Sequence, residues 1–340
     1  MTALITKGMI VKTDISNIWE YSTIIVLPLF LPFSARLKEK IIMTLFVFSS
    51  LVALLGLIQH INPSIVYPFP RQLVSGRIHG FFSHGLHYSG FESIIVIMAL
   101  SLILFAKLDR RMKLCLWGVL ALNASALLLS LSRSYYISVA IIILAILLIK
   151  KTRYFLLGCA VLISLLFLIL SFPNPLNSRI QTLLDSDFQS NKERIYIWKT
   201  SVRMASDHPL VGVGAGNWGE KAAEHYFPLI EKETGYKLTG HGHAHNTYLT
   251  WLSESGIPGL LLFLTFWSLV VRRLFYVKST VPKGSFDYAL IVGTLGGLGN
   301  LFIAGMFEHN FGTSVILLLI SFLIGLSLKP SEEITVNESC

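Results

Sequence analysis

Residues 90–106 read GFESIIVIMALSLILFA, and the next seven residues, 107–113, read KLDRRMK. A helix needs roughly 20 mostly apolar residues to cross the hydrocarbon core of a bilayer. Lys and Arg collect in the cytoplasmic loops of membrane proteins. An apolar stretch of this kind, with a basic cluster directly after it, therefore predicts a membrane-spanning helix that ends at the cytoplasmic surface.

Similar apolar stretches recur along the whole chain. Hydrophobic residues make up 53% of the 340 residues and charged residues only 14%, whereas soluble domains carry roughly 25% charged residues. The sequence therefore predicts an all-α polytopic membrane protein with about nine transmembrane helices and a large, partly helical external loop. The predicted spans are 21–33, 41–59, 90–106, 114–131, 135–149, 154–172, 247–271, 287–304 and 313–328.

The basic residues between these spans predict the orientation of the chain. Basic clusters follow the first, third, fifth and seventh spans, and the alternate loops lack such clusters, which is the positive-inside pattern. The loops 61–89, 132–134, 173–246 and 305–312 are therefore predicted to lie outside. The cytoplasmic clusters also account for the net charge of +9 without a nucleic-acid partner. Because the N-terminus comes out external without a signal peptide, we expect that upstream helices are missing or that span 21–33 is re-entrant.

The long polar loop divides the chain into three parts. Transmembrane helices occupy 1–172, the external loop occupies 173–246, and further transmembrane helices with a cytoplasmic tail occupy 247–340. Within the loop, Ser190 is followed three residues later by Glu193. This is the capping-box pattern, and it predicts a helix that runs to about residue 206.

A glycine-rich segment follows that predicted helix. Residues 210–219 read LVGVGAGNWG. A dinucleotide fingerprint needs a strand before the glycines and a helix after them, and here a helix comes before. The glycines therefore predict a tight-turning loop and not a nucleotide site.

Polar residues that could carry chemistry gather on the predicted external face. Eight of the ten histidines lie in loops 61–89 and 173–246. Arg133 lies in a very short turn between two spans, where a guanidinium either extends to lipid headgroups or clamps a phosphate. His245 lies at the membrane edge. There an imidazole can act as a general base, contribute to a metal site, or begin a helix without a chemical role. Charged residues at the outer ends of predicted helices are Glu92, Arg133, Glu254 and Glu308.

Four motifs in this order resemble the O-antigen ligase and O-antigen polymerase superfamily. They are Arg194-x-x-x-Trp198, HPLVGVGAGNW at 208–218, HAHNTYL at 243–249 and ESGIPG at 254–259. Upstream, residues 76–84 and 132–134 are also similar to the pattern of that family.

The resemblance implies a GT-C-like glycosyltransferase that uses no metal or other cofactor. It implies a glycan donor on undecaprenyl diphosphate and an acceptor that is lipid A-core, a growing polysaccharide or a protein. The setting would be the bacterial inner membrane, with the site facing the periplasm. By the family's pattern, His245 activates the acceptor hydroxyl, Arg133 and Arg194 hold the diphosphate, and Arg77 is a further phosphate ligand. The supporting residues would be His243, Asn246 and Glu254.

Other functions stay open at this point. A protein O-oligosaccharyltransferase would share all of these motifs. A transporter of polysaccharide or another anionic solute would carry polar groups near the middle of its helices, and the predicted helix centres are nearly free of charge. A metal-dependent enzyme would use His241, His243 and His245, although no carboxylate or cysteine stands at a typical ligand spacing.

Overall fold

Helices make up the regular structure of the described chain. The computed structural model describes residues 33–62, 64, 77–182, 185, 187–238 and 240–331, and within these ranges there is no β-strand. Among the described residues, seven helices are long and apolar enough to cross a membrane by length and composition, and Ser314–Leu328 is a shorter apolar helix. The prediction of an all-α polytopic membrane protein is therefore confirmed. All the predicted spans except 21–33 coincide with these helices, and that first one falls on residues outside the described ranges except for its last.

We number the helices in chain order. They are α1 Ala35–Ile61, α2 Gly85–Phe105, α3 Arg110–Leu129, α4 Arg133–Lys150, α5 Thr152–Ser171, α6 Pro175–Gln181, α7 Gln189–Asp207, α8 Trp218–Lys221, α9 Phe227–Thr234, α10 Thr247–Thr280, α11 Phe286–Ala304 and α12 Ser314–Leu328. A π-helical turn, Ala222–Tyr226, joins α8 to α9, and a 3-10 turn, Asn310–Gly312, precedes α12.

Helices α2 and α11 form the centre of the bundle. Nearly every residue of α2 and most residues of α11 are buried. Gly293 and Gly296 of α11 lie against Met98 and Ile97 of α2, where an added Cβ would come within 2.5 and 2.7 Å of those side chains. Small residues let helix backbones approach closely inside a membrane. Helix α5, in contrast, has no buried residue, so it lies at the lipid-facing edge.

The loops gather into two groups at opposite ends of the bundle. At one end Lys38, in the first turn of α1, pairs with Asp287 of α11 at 2.8 Å. At the other end Arg77 donates from Nη2 to Ser132 Oγ at 2.8 Å. The first group contains the loops that were predicted to be cytoplasmic, and the second contains those predicted to be external. The contacts therefore agree with the predicted pairing of loops, while the side of the membrane on which each group lies stays a prediction.

Helix α10 is kinked near its start. Gly256 has φ 68° and ψ −172°, and Pro258 follows it inside the helix. Because proline has no N–H, the carbonyl of Glu254 loses its usual partner four residues later. Gly214 donates its N–H to that carbonyl at 2.9 Å. The glycine-rich loop thus docks on the kink and replaces a missing helical hydrogen bond. Its tight turning is confirmed by positive φ angles at Gly212, Gly214 and Gly216.

The segment 173–246, which was predicted to be external and is called the external segment below, has a small core of its own. Ile197 and Met204 of α7 are buried with Trp218 and Tyr226. The indole N–H of Trp218 donates to Ser201 Oγ at 3.0 Å, so the largest side chain of this core also has its polar atom satisfied. This core fixes α7 in a defined position beside the membrane-spanning helices.

Helix α7 confirms the helix predicted in the external loop but not its first turn. It begins at Gln189, its N-cap is Phe188, and no side chain caps it. The predicted capping box of Ser190 and Glu193 is therefore wrong. The reason is a turn just upstream, where the Asp185 carboxylate accepts the backbone N–H of Phe188 at 3.2 Å and starts the helix early.

Candidate active site

A buried glutamate, Glu308, joins two of the residues that the sequence motifs indicated. Its Oε1 accepts from Arg194 Nη2 at 2.6 Å and from Ser134 Oγ at 3.2 Å. Its Oε2 lies 3.7 Å from His245 Nδ1, which is longer than a hydrogen bond. Neither of those two atoms has a hydrogen-bond partner among the described residues. Only 4% of the Glu308 side chain is exposed, so one buried carboxylate binds a guanidinium and lies beside an imidazole.

The turn after α11 carries Glu308 to the start of α10. Thr247 donates its hydroxyl to the Glu308 carbonyl at 3.0 Å. Asn246 donates its amide to the Met306 carbonyl at 2.9 Å, and its side-chain oxygen also caps α10. Asn246, predicted as a supporting residue, therefore fixes both the turn and the helix start on either side of His245.

The backbone of His245 adopts a left-handed conformation. Its φ is 47°, and within the described ranges the other non-glycine residue with positive φ is Leu131, at 54°. This conformation costs about 1–2 kcal/mol for a residue with a side chain, and such outliers cluster at functional sites. His243 Nδ1 accepts the backbone N–H of His245 at 3.1 Å, and the two ring centroids are 4.4 Å apart. His243, the second predicted supporting residue, therefore stabilises the strained backbone of His245.

Burial and neighbouring charges shift the pKa values of the groups around His245. Burial raises the pKa of Glu308, but Arg194 and His245 together bring that pKa below the usual range of a carboxyl group. Burial, and then the charge of His245, lower the pKa of His243 to about 3 and the pKa of His309 to about 4. At neutral pH, His245 is therefore flanked by one carboxylate and by two uncharged imidazoles.

Arg133 anchors the external segment to the membrane-spanning helices. Its Nη1 donates to the Thr182 carbonyl at 2.7 Å, and its Nη2 donates to Asn191 Oδ1 at 2.8 Å. Its guanidinium also lies 5.3 Å from the ring centroid of Phe188. Since Asn191 is one helical turn before Arg194 on α7, these contacts fix the end of the helix that presents Arg194.

Arg77 reaches the same turn between α3 and α4. Its Nε donates to the Ser130 carbonyl at 3.0 Å, and its Nη2 donates to Ser132 Oγ at 2.8 Å. His84, the N-cap of α2, lies nearby. Its pKa is lowered by burial first, and then by the charges of His87 and Arg77. The predicted phosphate ligands Arg77 and Arg133 thus lie on the two sides of one short turn.

Glu254, the third predicted supporting residue, acts at a different place. Its Oε1 accepts the backbone N–H of Trp218 at 3.3 Å, and its carbonyl accepts from Gly214. Within the described residues no contact joins it to His245 or Glu308. Glu254 therefore holds the glycine-rich loop on the kink of α10 and stands apart from the His245 cluster.

No chemical role was predicted for Glu308 from the sequence. Its one visible signal was a carboxylate in the short external loop 305–312, at the outer end of a predicted helix. Its partner Arg194 lies 114 residues away, and no local pattern connects the two. His309 carried even less signal, because a single histidine in a loop is unremarkable without its neighbours.

The histidine-rich segment gathers several rings without forming a metal cage. The ring centroids of His241 and His245 are 5.8 Å apart, and those of His243 and His309 are 5.2 Å apart. Among the described residues, no group of three or more His, Cys, Asp or Glu side chains is placed to hold a metal ion. The carboxylate of Glu308 instead faces a single imidazole nitrogen.

Comparison with protein families connects this geometry to a known group. Residues 118–264 match the Wzy_C family model, described as O-antigen ligase. The matched range contains Arg133, Arg194 and His245, and it ends before Glu308. The resemblance to the O-antigen ligase and polymerase superfamily is thereby confirmed over this range, which supports an enzymatic role as ligase or polymerase in polysaccharide biosynthesis. The comparison with curated proteins found no match.

Proposed function

We propose that this chain, whose residues 118–264 match an O-antigen ligase family model, transfers a glycan from a polyprenyl diphosphate to an acceptor hydroxyl. The donor would be undecaprenyl-diphosphate-linked, and the reaction would proceed without a metal. The site would face the periplasm from the inner membrane of a bacterium, on a GT-C-like framework. In this proposal, loop 173–246 is the unit that brings Arg194 to the membrane-spanning helices.

The observation that carries the proposal is the position of Glu308 between His245 and Arg194. The carboxylate lies 3.7 Å from the imidazole Nδ1 and 2.6 Å from the guanidinium. A carboxylate that faces Nδ1 favours the tautomer with its proton on that nitrogen, and it stabilises the imidazolium that forms when the ring accepts a second proton. Nε2 is then the nitrogen that can accept a proton from a hydroxyl.

The proposed reaction is one displacement at the anomeric carbon of the donor. His245 removes the acceptor proton as the acceptor oxygen forms its bond to that carbon. The bond from the carbon to the phosphate oxygen breaks, and the diphosphate leaves with the electron pair. Attack from the face opposite the leaving group inverts the anomeric carbon. The proton remains on His245 until solvent or product removes it.

The arginines would stabilise the charge that develops on the leaving diphosphate. Guanidinium groups bind phosphate oxygens with two parallel hydrogen bonds, and fixed cations near a developing anion lower the barrier. Among the described residues, Arg194 donates to Glu308 through Nη2. Its other N–H groups would bind the diphosphate. Arg133 and Arg77 would add charge from the turn between α3 and α4.

The test is glycan transfer by purified full-length protein in liposomes that contain a lipid-linked glycan donor and an acceptor. Loss of a general base costs about 10²–10⁴ in rate, and we expect a fall of that size for His245→Ala. Arg194→Ala should fall by about 10²–10³, as for other groups that stabilise developing charge. The matched controls are His225→Ala and Arg273→Ala, which change exposed side chains outside the cluster and should keep normal transfer.

Near-normal transfer by His245→Ala would refute the proposal. Transfer that stops on chelation of metal and returns with added zinc would favour a metal-dependent enzyme. A protein acceptor that is glycosylated in place of a saccharide would assign the chain to protein O-glycosylation. Movement of polysaccharide across the bilayer that survives loss of His245 would instead indicate a transporter.

A further inference from the structure

Helix α7 carries an exposed apolar stripe in addition to its buried face. Ile195 is 40% exposed and Val202 is 50% exposed, and they lie seven residues apart, which is two helical turns. With Trp198 between them, they line a groove of about 450 Å³ together with Lys199 and Arg203. A helix that packs against a single core has apolar residues on one face and polar residues on the other. Helix α7 has a second apolar face, which indicates a second contact.

The core of the external segment leaves Ile195 and Val202 uncovered. The buried residues of α7 are Ile197, Thr200, Ser201, Met204 and Ala205, and Trp198 is partly buried against the core. Ile195 and Val202 project away from them. Exposed apolar residues that continue over several side chains mark a surface that contacts a membrane or another molecule.

A second exposed apolar surface covers the loop after α7 and the adjoining part of α10. The loop after α7 docks on the kink, where Ile257 donates its backbone N–H to the Pro209 carbonyl at 2.8 Å. Leu210 and Val211, the next two residues of that loop, are 71% and 62% exposed, and Ile257 and Leu261 of the spanning helix are 50% and 57% exposed. An apolar surface thus extends from a membrane-spanning helix to the tip of the loop that follows α7.

Cations border the groove on α7. Arg203 pairs with Glu233 at 2.6 Å. Lys199 is exposed, its ammonium lies 5.3 Å from the ring centroid of Tyr196, and no carboxylate partner for it is found among the described residues. Interfacial helices commonly combine a buried apolar face with Lys or Arg at its border, because the apolar side chains enter the acyl layer while the cations meet lipid phosphates.

We propose that α7 and the Leu210–Val211 loop tip lie in the interfacial layer of the leaflet next to the site, where the α7 groove binds an anionic phospholipid. The acyl part would lie against Ile195, Val202 and the loop tip, and the phosphate would meet Lys199. This lipid contact does not depend on the glycan transfer proposed above. It would affect the position of Arg194, because Arg194 lies one turn before Trp198 on the same helix. A lipid-bound α7 would hold the Arg194 guanidinium at a fixed height above the bilayer.

The test measures the depth of single labelled positions in full-length protein. The three native cysteines are replaced by serine, and an environment-sensitive fluorophore is attached to Val202→Cys, Leu210→Cys or, as the matched control, Lys232→Cys. Lys232 is an exposed residue of α9 in the same external segment. Each variant is reconstituted in phosphatidylcholine vesicles, with or without phosphatidylglycerol. The vesicles contain a lipid with a nitroxide on its upper acyl chain, which quenches nearby fluorophores.

We expect several-fold stronger quenching at positions 202 and 210 than at position 232. Phosphatidylglycerol should increase quenching at 202, and Lys199→Glu should abolish that increase, while Lys232→Glu should not. Equal quenching at 202 and 232 would overturn the proposal. Shielding of position 202 from both the lipid nitroxide and aqueous iodide would also overturn it, since the groove would then be covered by protein. A response to phosphatidylglycerol that survives Lys199→Glu would refute the phosphate contact.

Discussion

Replacement of Glu308 by glutamine tests whether the charge of this carboxylate assists His245 in the reaction. Because the side chain keeps its size, the protein should still fold. The substitution keeps the size of the side chain and an acceptor for Ser134, but it removes the negative charge. At 3.7 Å between Oε2 and Nδ1, the attraction between a carboxylate and an imidazolium is about 4 kcal/mol at an effective dielectric constant of ~20. Each 1.36 kcal/mol changes a rate about tenfold, so complete loss of this attraction corresponds to about 10³.

The charge of Arg194 reduces that figure. Its guanidinium lies 2.6 Å from the other carboxylate oxygen and neutralises part of the negative charge. We therefore expect Glu308→Gln to lower kcat by about 10²–10³. The effect should fall on kcat because the attraction grows only when His245 takes the acceptor proton. Since Arg194 also loses its partner, a smaller increase in the KM of the donor should accompany it.

The assay is steady-state glycan transfer in liposomes with the donor and acceptor concentrations varied separately. Glu308→Asp should recover part of the activity, because it restores the charge on a shorter side chain. The matched control is Glu224→Gln, which removes a carboxylate that pairs with Lys221 at 3.0 Å in the same external segment. A folded Glu308→Gln protein with wild-type kcat would refute the reasoning. A change in KM alone would show that Glu308 acts through Arg194 and not through His245.

Two further predictions concern stability in detergent, measured as apparent Tm. The pKa of His309 falls to about 4 in the folded protein from an ordinary value near 6.5. The unfolded chain therefore binds more protons between those values, and stability is lost as pH falls through that window, by up to about 3 kcal/mol for this residue. His309→Gln should flatten the fall in Tm between about pH 6.5 and 4, and an unchanged slope would contradict this. Gly256→Ala should lower Tm far more than Gly235→Ala. Both residues have positive φ, at 68° and 69°. A Cβ on Gly256 would lie 2.6 Å from the backbone of the glycine-rich loop, whereas a Cβ on Gly235 would have no atom of the described residues within 4 Å. Equal losses of Tm would show that φ alone matters.

Most of the transmembrane architecture could be predicted because its signals are local. A run of apolar residues between basic clusters identifies one helix without reference to the others. The predicted span 247–271 nevertheless missed part of α10, which continues to Thr280. The reason is Arg272 and Arg273, whose charges resemble a helix end in sequence although the helix continues through them. The capping box at Ser190 failed for a related reason, since a turn upstream started the helix first.

The site could be predicted only in part because its contacts are long-range. His245 and Arg194 lie in motifs that resemble a known family, so both could be predicted as site residues from the sequence. The residue that joins them, Glu308, lies outside those motifs, and its partner Ser134 is 174 residues away. The role of Glu254 was assigned from its motif alone. The structure connects it to the glycine-rich loop, because a kinked helix leaves carbonyl groups that a neighbouring loop must satisfy.

The carbonyl that loses its helical partner at the kink of α10 is linked to the chemistry proposed for His245. Pro258 leaves the Glu254 carbonyl without a helical partner, and the glycine-rich loop supplies one through Gly214. The loop follows α7 directly in the chain, so docking on the kink fixes one end of α7. The contacts of Arg133 with Thr182 and with Asn191 in the first turn of α7 fix the other end. Arg194 lies between these two fixed ends, which lets its guanidinium meet a buried carboxylate. The glycine motif and the arginine motif therefore act together to position Arg194.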